Sequence, residues 1–123
     1  MPCLMRLLAP LAFAVSPALA QEGESPIRPD DQPMDQAALS AAVTGQTLTF
    51  FDGGESRFET DGKYSWTYGE GGTWLGHYAV GEDSTICITF VTGVERCDLY
   101  VQNGERLVLI TQDGMRFPVK DIR

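Results

Sequence analysis

One histidine, His77, has to serve any scheme that needs an imidazole. The chain also lacks His-Glu-x-x-His, Gly-x-Ser-x-Gly, a phosphate-cradling glycine loop and a Cys-x-x-Cys pair. Zinc proteases, serine hydrolases, nucleotide-cleaving enzymes and dithiol oxidoreductases are thus without their usual residues. Carboxylates are plentiful, but Asp52, Glu55, Asp61, Glu70, Glu82, Asp83 and Asp113 fall at turns, where Asp bonds the local backbone. They assemble neither the paired acids of a glycosidase nor a recognisable calcium loop. Basic residues are few: nine Lys and Arg stand against seventeen Asp and Glu. That balance speaks against nucleic acid and anionic membranes as partners. It suits a basic partner and, equally, plain solubility.

The first twenty residues read as a segment apart from the fold. Met1 to Arg6 is short and mildly positive, Leu7 to Val15 is apolar, and Ala18-Leu19-Ala20 offers small residues where a signal peptidase reads. A cleaved secretory signal peptide is expected over 1–20, giving a periplasmic protein with no stable membrane anchor. Cleavage removes Arg6 alone among charged groups, so eight basic side chains face seventeen acidic ones, net −9. It also removes Cys3 and leaves Cys87 and Cys97, which an oxidising compartment would join.

From residue 52 onward, turn-forming pairs recur about every ten residues: Asp52-Gly53, Asp61-Gly62, Gly71-Gly72, Gly81-Glu82, Thr92-Gly93, Asn103-Gly104 and Asp113-Gly114. Between them lie short segments rich in β-branched and aromatic residues. The spacing predicts an all-β domain: an eight-stranded antiparallel up-and-down meander, as a small barrel or a sandwich, with one short N-terminal helix. Strands are expected near 46–51, 55–60, 63–69, 72–80, 84–91, 94–102, 105–111 and 115–121. Pro118 suggests an edge or bulge in the last of these, which leaves closure open. Residues 21–34, with three prolines and little to bury, read as a disordered acidic arm. A single domain over 35–123 follows. Asp35 suits a helix N-cap, Met34 and Leu39 a hydrophobic staple, and Gly45 the stop of a helix over Gln36 to Val43.

Register arguments sharpen this. A three-residue loop over Val91-Thr92-Gly93 sets Phe90 opposite Val94 and hence Cys87 opposite Cys97, at a non-hydrogen-bonded pair. A loop over Gly69-Glu70-Gly71 sets Trp66 opposite Trp74, with Tyr64, Tyr68 and Tyr78 alongside. Asn103-Gly104 and Asp113-Gly114 fit two-residue turns, and the first two turns are ambiguous by one residue. His77 shares a face with Leu75 and Ala79, away from Trp74 and Tyr78. Arg57, Arg96, Arg106 and Arg116, spread over four strands, are read as decorating the solvated face.

The group Tyr64, Trp66, Tyr68, Trp74 and Tyr78 has two readings. Aromatic rings fill the interior of small barrels; they also line pockets for apolar or flat ligands. Gly72 and Gly76, between the rings, fit either room at a wall or barrel curvature. The functional expectation is a non-catalytic, monomeric binding protein for a small apolar molecule, with no cofactor or metal implied. The alternative is a protein-interaction module, or a protease-inhibitor-like protein, acting through the N-terminal arm and loops.

Gly45-Gln46-Thr47-Leu48-Thr49-Phe50, Gly72-x-Trp74-x-Gly76-x-Tyr78-x-Val80, Ile86-Cys87-Ile88-x-Phe90, Arg96-Cys97-Asp98 and Gly114-x-Arg116-Phe117-Pro118-Val119 together resemble small exported proteins of alphaproteobacteria, a lipocalin-like β-barrel class. The resemblance implies fold and compartment and no activity. More loosely, the layout is similar to periplasmic inhibitors of secreted metalloproteases, which carry a signal, eight strands, one disulfide and a free arm. This chain's Gln21-Glu22-Gly23-Glu24 differs from the small-residue arm of those inhibitors, and no residue is carried over.

Overall fold

The computed structural model describes residues 26–123. The expected signal peptide, and residues 21–25 of the expected arm, lie outside the described residues. The elements are β1 (Gln32–Pro33), α1 (Gln36–Val43), β2 (Thr47–Phe50), β3 (Glu55–Phe58), β4 (Lys63–Thr67), β5 (Thr73–Val80), β6 (Thr85–Phe90), β7 (Glu95–Asn103), β8 (Arg106–Ile110) and β9 (Arg116–Ile122). Each strand from β2 to β9 pairs antiparallel with the next, and β9 returns to β2. The eight strands therefore close into an up-and-down barrel, and the sandwich is set aside.

One loop geometry recurs around it. Phe50, Glu59, Tyr68, Phe90 and Thr111 each donate a backbone N–H across a three-residue loop, to Gly54, Lys63, Gly72, Val94 and Met115 respectively. The third loop residue is always a left-handed glycine: Gly53, Gly62, Gly71, Gly93 and Gly114. Asp113-Gly114 is thus part of a three-residue loop and not a two-residue turn. Between β7 and β8, Asn103 pairs with Arg106, so the two-residue loop is Gly104-Glu105, with left-handed φ at Gly104 alone. The expected Asn103-Gly104 turn is shifted by one residue, because Asn103 stays in the ladder and its side chain is needed elsewhere. Cys87 does face Cys97, and the two are bridged with Sγ atoms 2.06 Å apart. Trp66 faces Trp74.

Pro118 does not prevent closure. Thr111 bonding Met115 makes Val108 and Pro118 a non-hydrogen-bonded pair, so β8 asks nothing of the missing N–H. On its other side β9 meets β2 only from Val119 onward, with a bulge in the ladder at Thr49/Phe50.

Alternation sends Leu48, Phe50, Ser56, Phe58, Tyr64, Ile86, Ile88, Tyr100, Leu107, Leu109 and Val119 inward, and all are buried. Gly76 has an inward position too: a Cβ there would stand 2.5 Å from the Thr89 carbonyl oxygen. Its missing side chain lets the Tyr64 and Phe90 rings, on the flanking strands, meet across it at 6.0 Å. Helix α1 stops one end of the barrel. Asp35 Oδ1 accepts from the Ala38 N–H at 2.8 Å, and Leu39 and Val43, one turn apart, are fully buried.

Residues 26–34 depart from the expected disordered arm. β1 adds to β7 where β6 has run out, at Val101 and Gln102. Ile27 packs outside the barrel on Val101, Val108 and Ile110, a second small core. Asp31 is buried and takes a fork from Arg116, at 2.7 and 2.8 Å, plus Asn103 Nδ2 at 2.8 Å and the Arg28 N–H at 2.7 Å. Arg116, expected on the solvated face, is thereby covered. Ser84, buried with φ +61, accepts from the Met34 N–H and donates to the Tyr100 carbonyl at 2.7 Å. A left-handed φ costs a non-glycine residue about 1–2 kcal/mol, and here two buried hydrogen bonds and their pairing offset it. Polar, proline-rich composition hid a segment held by specific partners.

The Arg116 hydrogen bonds hold the Asp31 carboxyl well below the usual carboxylate range, against the opposing effect of burial. A depressed native value stabilises the fold fully above the unfolded value near pH 4 and is lost as pH falls below it. The pair is covered only by a thin strap, so Asp31→Ala should cost about 1–3 kcal/mol in urea denaturation, less than a deeply buried pair. That deficit should shrink as the pH drops below about 4.

Candidate functional site

The barrel is packed at one end and open at the other. Below the middle, Phe58 gathers Tyr64 at 5.1 Å, Tyr78 at 5.0 Å and Tyr100 at 6.5 Å into a ring cluster over α1. Toward the end carrying the 51–53, 69–71, 91–93 and 112–114 loops, the inner side chains no longer meet. A cavity of about 820 Å³ opens there, within the range of small-molecule sites.

Its walls are aromatic. Phe50 and Trp66 lie 5.8 Å apart, Trp66 and Tyr68 5.6 Å apart, and Tyr64, Trp74, Phe90 and Phe117 also line it. Trp66 is held: its six-membered ring lies where a Cβ on Gly54 would sit, 2.4 Å away, so the indole packs on bare backbone. Trp74, opposite it, is 47% exposed. One ring is fixed and the other is open to contact.

The cavity also has polar groups. Ser56 Oγ and Tyr64 Oη share a hydrogen bond of 2.8 Å between buried residues. Asp98, buried, accepts from Arg96 Nε at 2.8 Å, while Arg96 is half exposed within the mouth. This corrects the placement of Arg96 on the solvated face. The register that seats Cys87 and Cys97 outside pairs Ile88 with Arg96 and Ile86 with Asp98, and both isoleucines are buried. Arg57 does stay exposed; Arg106 lies outside, bonding the Val119 carbonyl at 2.7 Å with Phe51 over its guanidinium at 5.0 Å.

Of the residues singled out from sequence, Tyr64, Trp66, Tyr68 and Trp74 meet in this cavity. Tyr78 does not: it lies at the stopped end, donating its hydroxyl to the Glu59 carbonyl at 2.6 Å. Rings thus fill the stopped half of the barrel and border a cavity in the other. Gly72 lies in the hairpin and not in the wall, with a left-handed φ. His77 is outward and exposed, level with Lys63 and Thr89. Among the described residues, no three of His, Cys, Asp and Glu gather as metal ligands. Sequence reasoning missed Phe50, Ser56, Phe90, Asp98 and Phe117 and misplaced Arg96. For Phe90, Arg96 and Asp98 the signal is alternation counted from the cysteines.

Comparison with protein-family models, curated proteins and solved structures returns no match for this chain.

Burial pushes the Tyr64 phenol up to about 12, with the Ser56 hydrogen bond opposing it, and pushes Tyr100 well above the ordinary value. Because the fold favours the neutral phenols, their contribution is full below the unfolded value near pH 10 and is lost as the pH rises through the native values. Tyrosinate absorbance should show Tyr64 ionising near pH 12 and Tyr100 well above the ordinary phenol range, or both together with alkaline unfolding. A native state in which all four tyrosines titrate near pH 10 would contradict their burial.

Proposed function

We propose that this protein is a non-catalytic, exported carrier or sensor that holds a small, largely apolar molecule in the open mouth of its barrel. The observation that carries this reading is the contrast between the two ends. One is stopped by α1 and filled by interlocked rings, whereas the other keeps about 820 Å³ bordered by Trp66, Tyr68, Trp74 and Phe90. Eight-stranded barrels either fill with side chains or hold one small ligand, and this one divides between the two. Exposed apolar side chains also concentrate at the mouth: Tyr68, Trp74, Val94 and Met115. Such surface is costly to leave in water and is common at binding sites.

A lipocalin-like role agrees with this layout. The alternative, a module that captures proteins through its arm, has less to draw on. Residues 26–34 already spend Ile27, Asp31 and the Met34 N–H on the barrel itself.

The chain has two tryptophans, and both border the mouth, so intrinsic fluorescence reports that site alone. Titration with the neutral probe N-phenyl-1-naphthylamine should change it saturably. Trp74→Ala should weaken binding about tenfold, since stacking on an aromatic ring is worth about 0.5–1.5 kcal/mol beyond its area, while far-ultraviolet circular dichroism stays unchanged. A linear, unsaturable response would reject the pocket as a ligand site.

A further inference from the structure

We propose that the mouth takes an amphipathic carboxylate, its apolar body against Trp66 and Trp74 and its carboxylate on the guanidinium of Arg96. This rests on the reading of the mouth as a ligand site and adds the ligand's charge and orientation.

Three observations carry it. First, among the described residues Arg96 is the one cationic side chain lining the cavity, and Asp98 is the one acceptor it bonds there. Its ladder partner Ile88 is apolar and buried, and a charge turned inward loses hydration that an outward one keeps. Second, Asp98 binds Nε only, at 2.8 Å. That contact fixes the plane of the guanidinium, while among the described residues neither Nη atom has a hydrogen-bond acceptor. Two Nη groups with a fixed plane are the fork that matches the two oxygens of a carboxylate. Third, the Ser56 and Tyr64 hydroxyls line the same cavity and use one proton on each other, which leaves the second to donate to an anion. Tyr64 is near enough to Arg96 to feel its charge.

Three carboxylates also line the cavity. Asp52 and Asp113 stand at the exposed rim, where water screens them, and bond locally, Asp52 to the Gly54 N–H at 2.8 Å and Asp113 to the Thr111 hydroxyl. In the polar interior Asp98 is balanced by Arg96, and the donors turned to the cavity there are the Arg96 Nη groups and one hydroxyl proton.

The test compares decanoate, 1-decanol and decylammonium, each below its micellar concentration, by tryptophan fluorescence and calorimetry on the mature protein. Decanoate should bind about tenfold or more tightly than decanol, the usual increment of a charge-assisted hydrogen bond, and decylammonium most weakly. Arg96→Gln should abolish the preference for the acid while decanol affinity stays within about twofold of wild type. Because Arg96→Gln leaves Asp98 buried without its partner, the double variant Arg96→Gln/Asp98→Asn is measured beside it, and the decanol signal certifies an intact mouth. Equal affinity for acid and alcohol, a preference for the ammonium, or an acid preference that survives both variants would each overturn the proposal and leave the pocket standing. Failure of all three compounds to bind would overturn the pocket reading with it.

Discussion

Everything in this barrel depends on loop length. A three-residue hairpin loop ending in a left-handed glycine permits one register, and the same loop joins β2 to β3, β3 to β4, β4 to β5, β6 to β7 and β8 to β9. Since side chains alternate with a period of two, a slip of one residue in any loop would turn a whole strand inside out. Closing β9 onto β2 then requires all the registers to agree. The glycines select the interior, and hydrophobic burial follows that selection as much as it drives it.

The same constraint explains what could be read from the chain and what could not. The helix bounds, the strand sequence, the Cys87–Cys97 facing and the Trp66–Trp74 facing all come from local turn chemistry plus counting. The count that sets Cys87 opposite Cys97 puts Arg96 and Asp98 together on the other face, but a charged pair reads as surface by composition. Strand β8 carried another signal in Leu107-Val108-Leu109-Ile110, apolar at successive positions and buried on both faces. A strand buried on one face only should alternate. The absence of alternation meant that something lay over its outside, and residues 26–31 are what lies there. The partners of that segment are far away in sequence, which is why no local rule could find it.

The two halves of the barrel solve different problems with the same residue types. In the stopped half, Phe58 packs against Tyr78 and Tyr100, and the Tyr78 hydroxyl finds the Glu59 carbonyl, so that ring is buried with its polar tip satisfied. In the open half, Trp66 is clamped by Phe50, Gly54 and Tyr68, and nothing comparable constrains Trp74. One wall of the cavity is thus held by packing, and the other presents an exposed ring. The disulfide braces β6 against β7 outside this half, behind Phe90 and Arg96.

The strap over β7 and β8 has a consequence for quality control. Asp31 finds Arg116, 85 positions further along, and Ile27 covers its whole patch only once Val108 and Ile110 of β8 join Val101 of β7. Residues 26–31 therefore cannot settle until β8 and β9 have been built. A molecule cut short before its last hairpin carries a loose front end, and proteases that seize loose ends can tell it from a finished one.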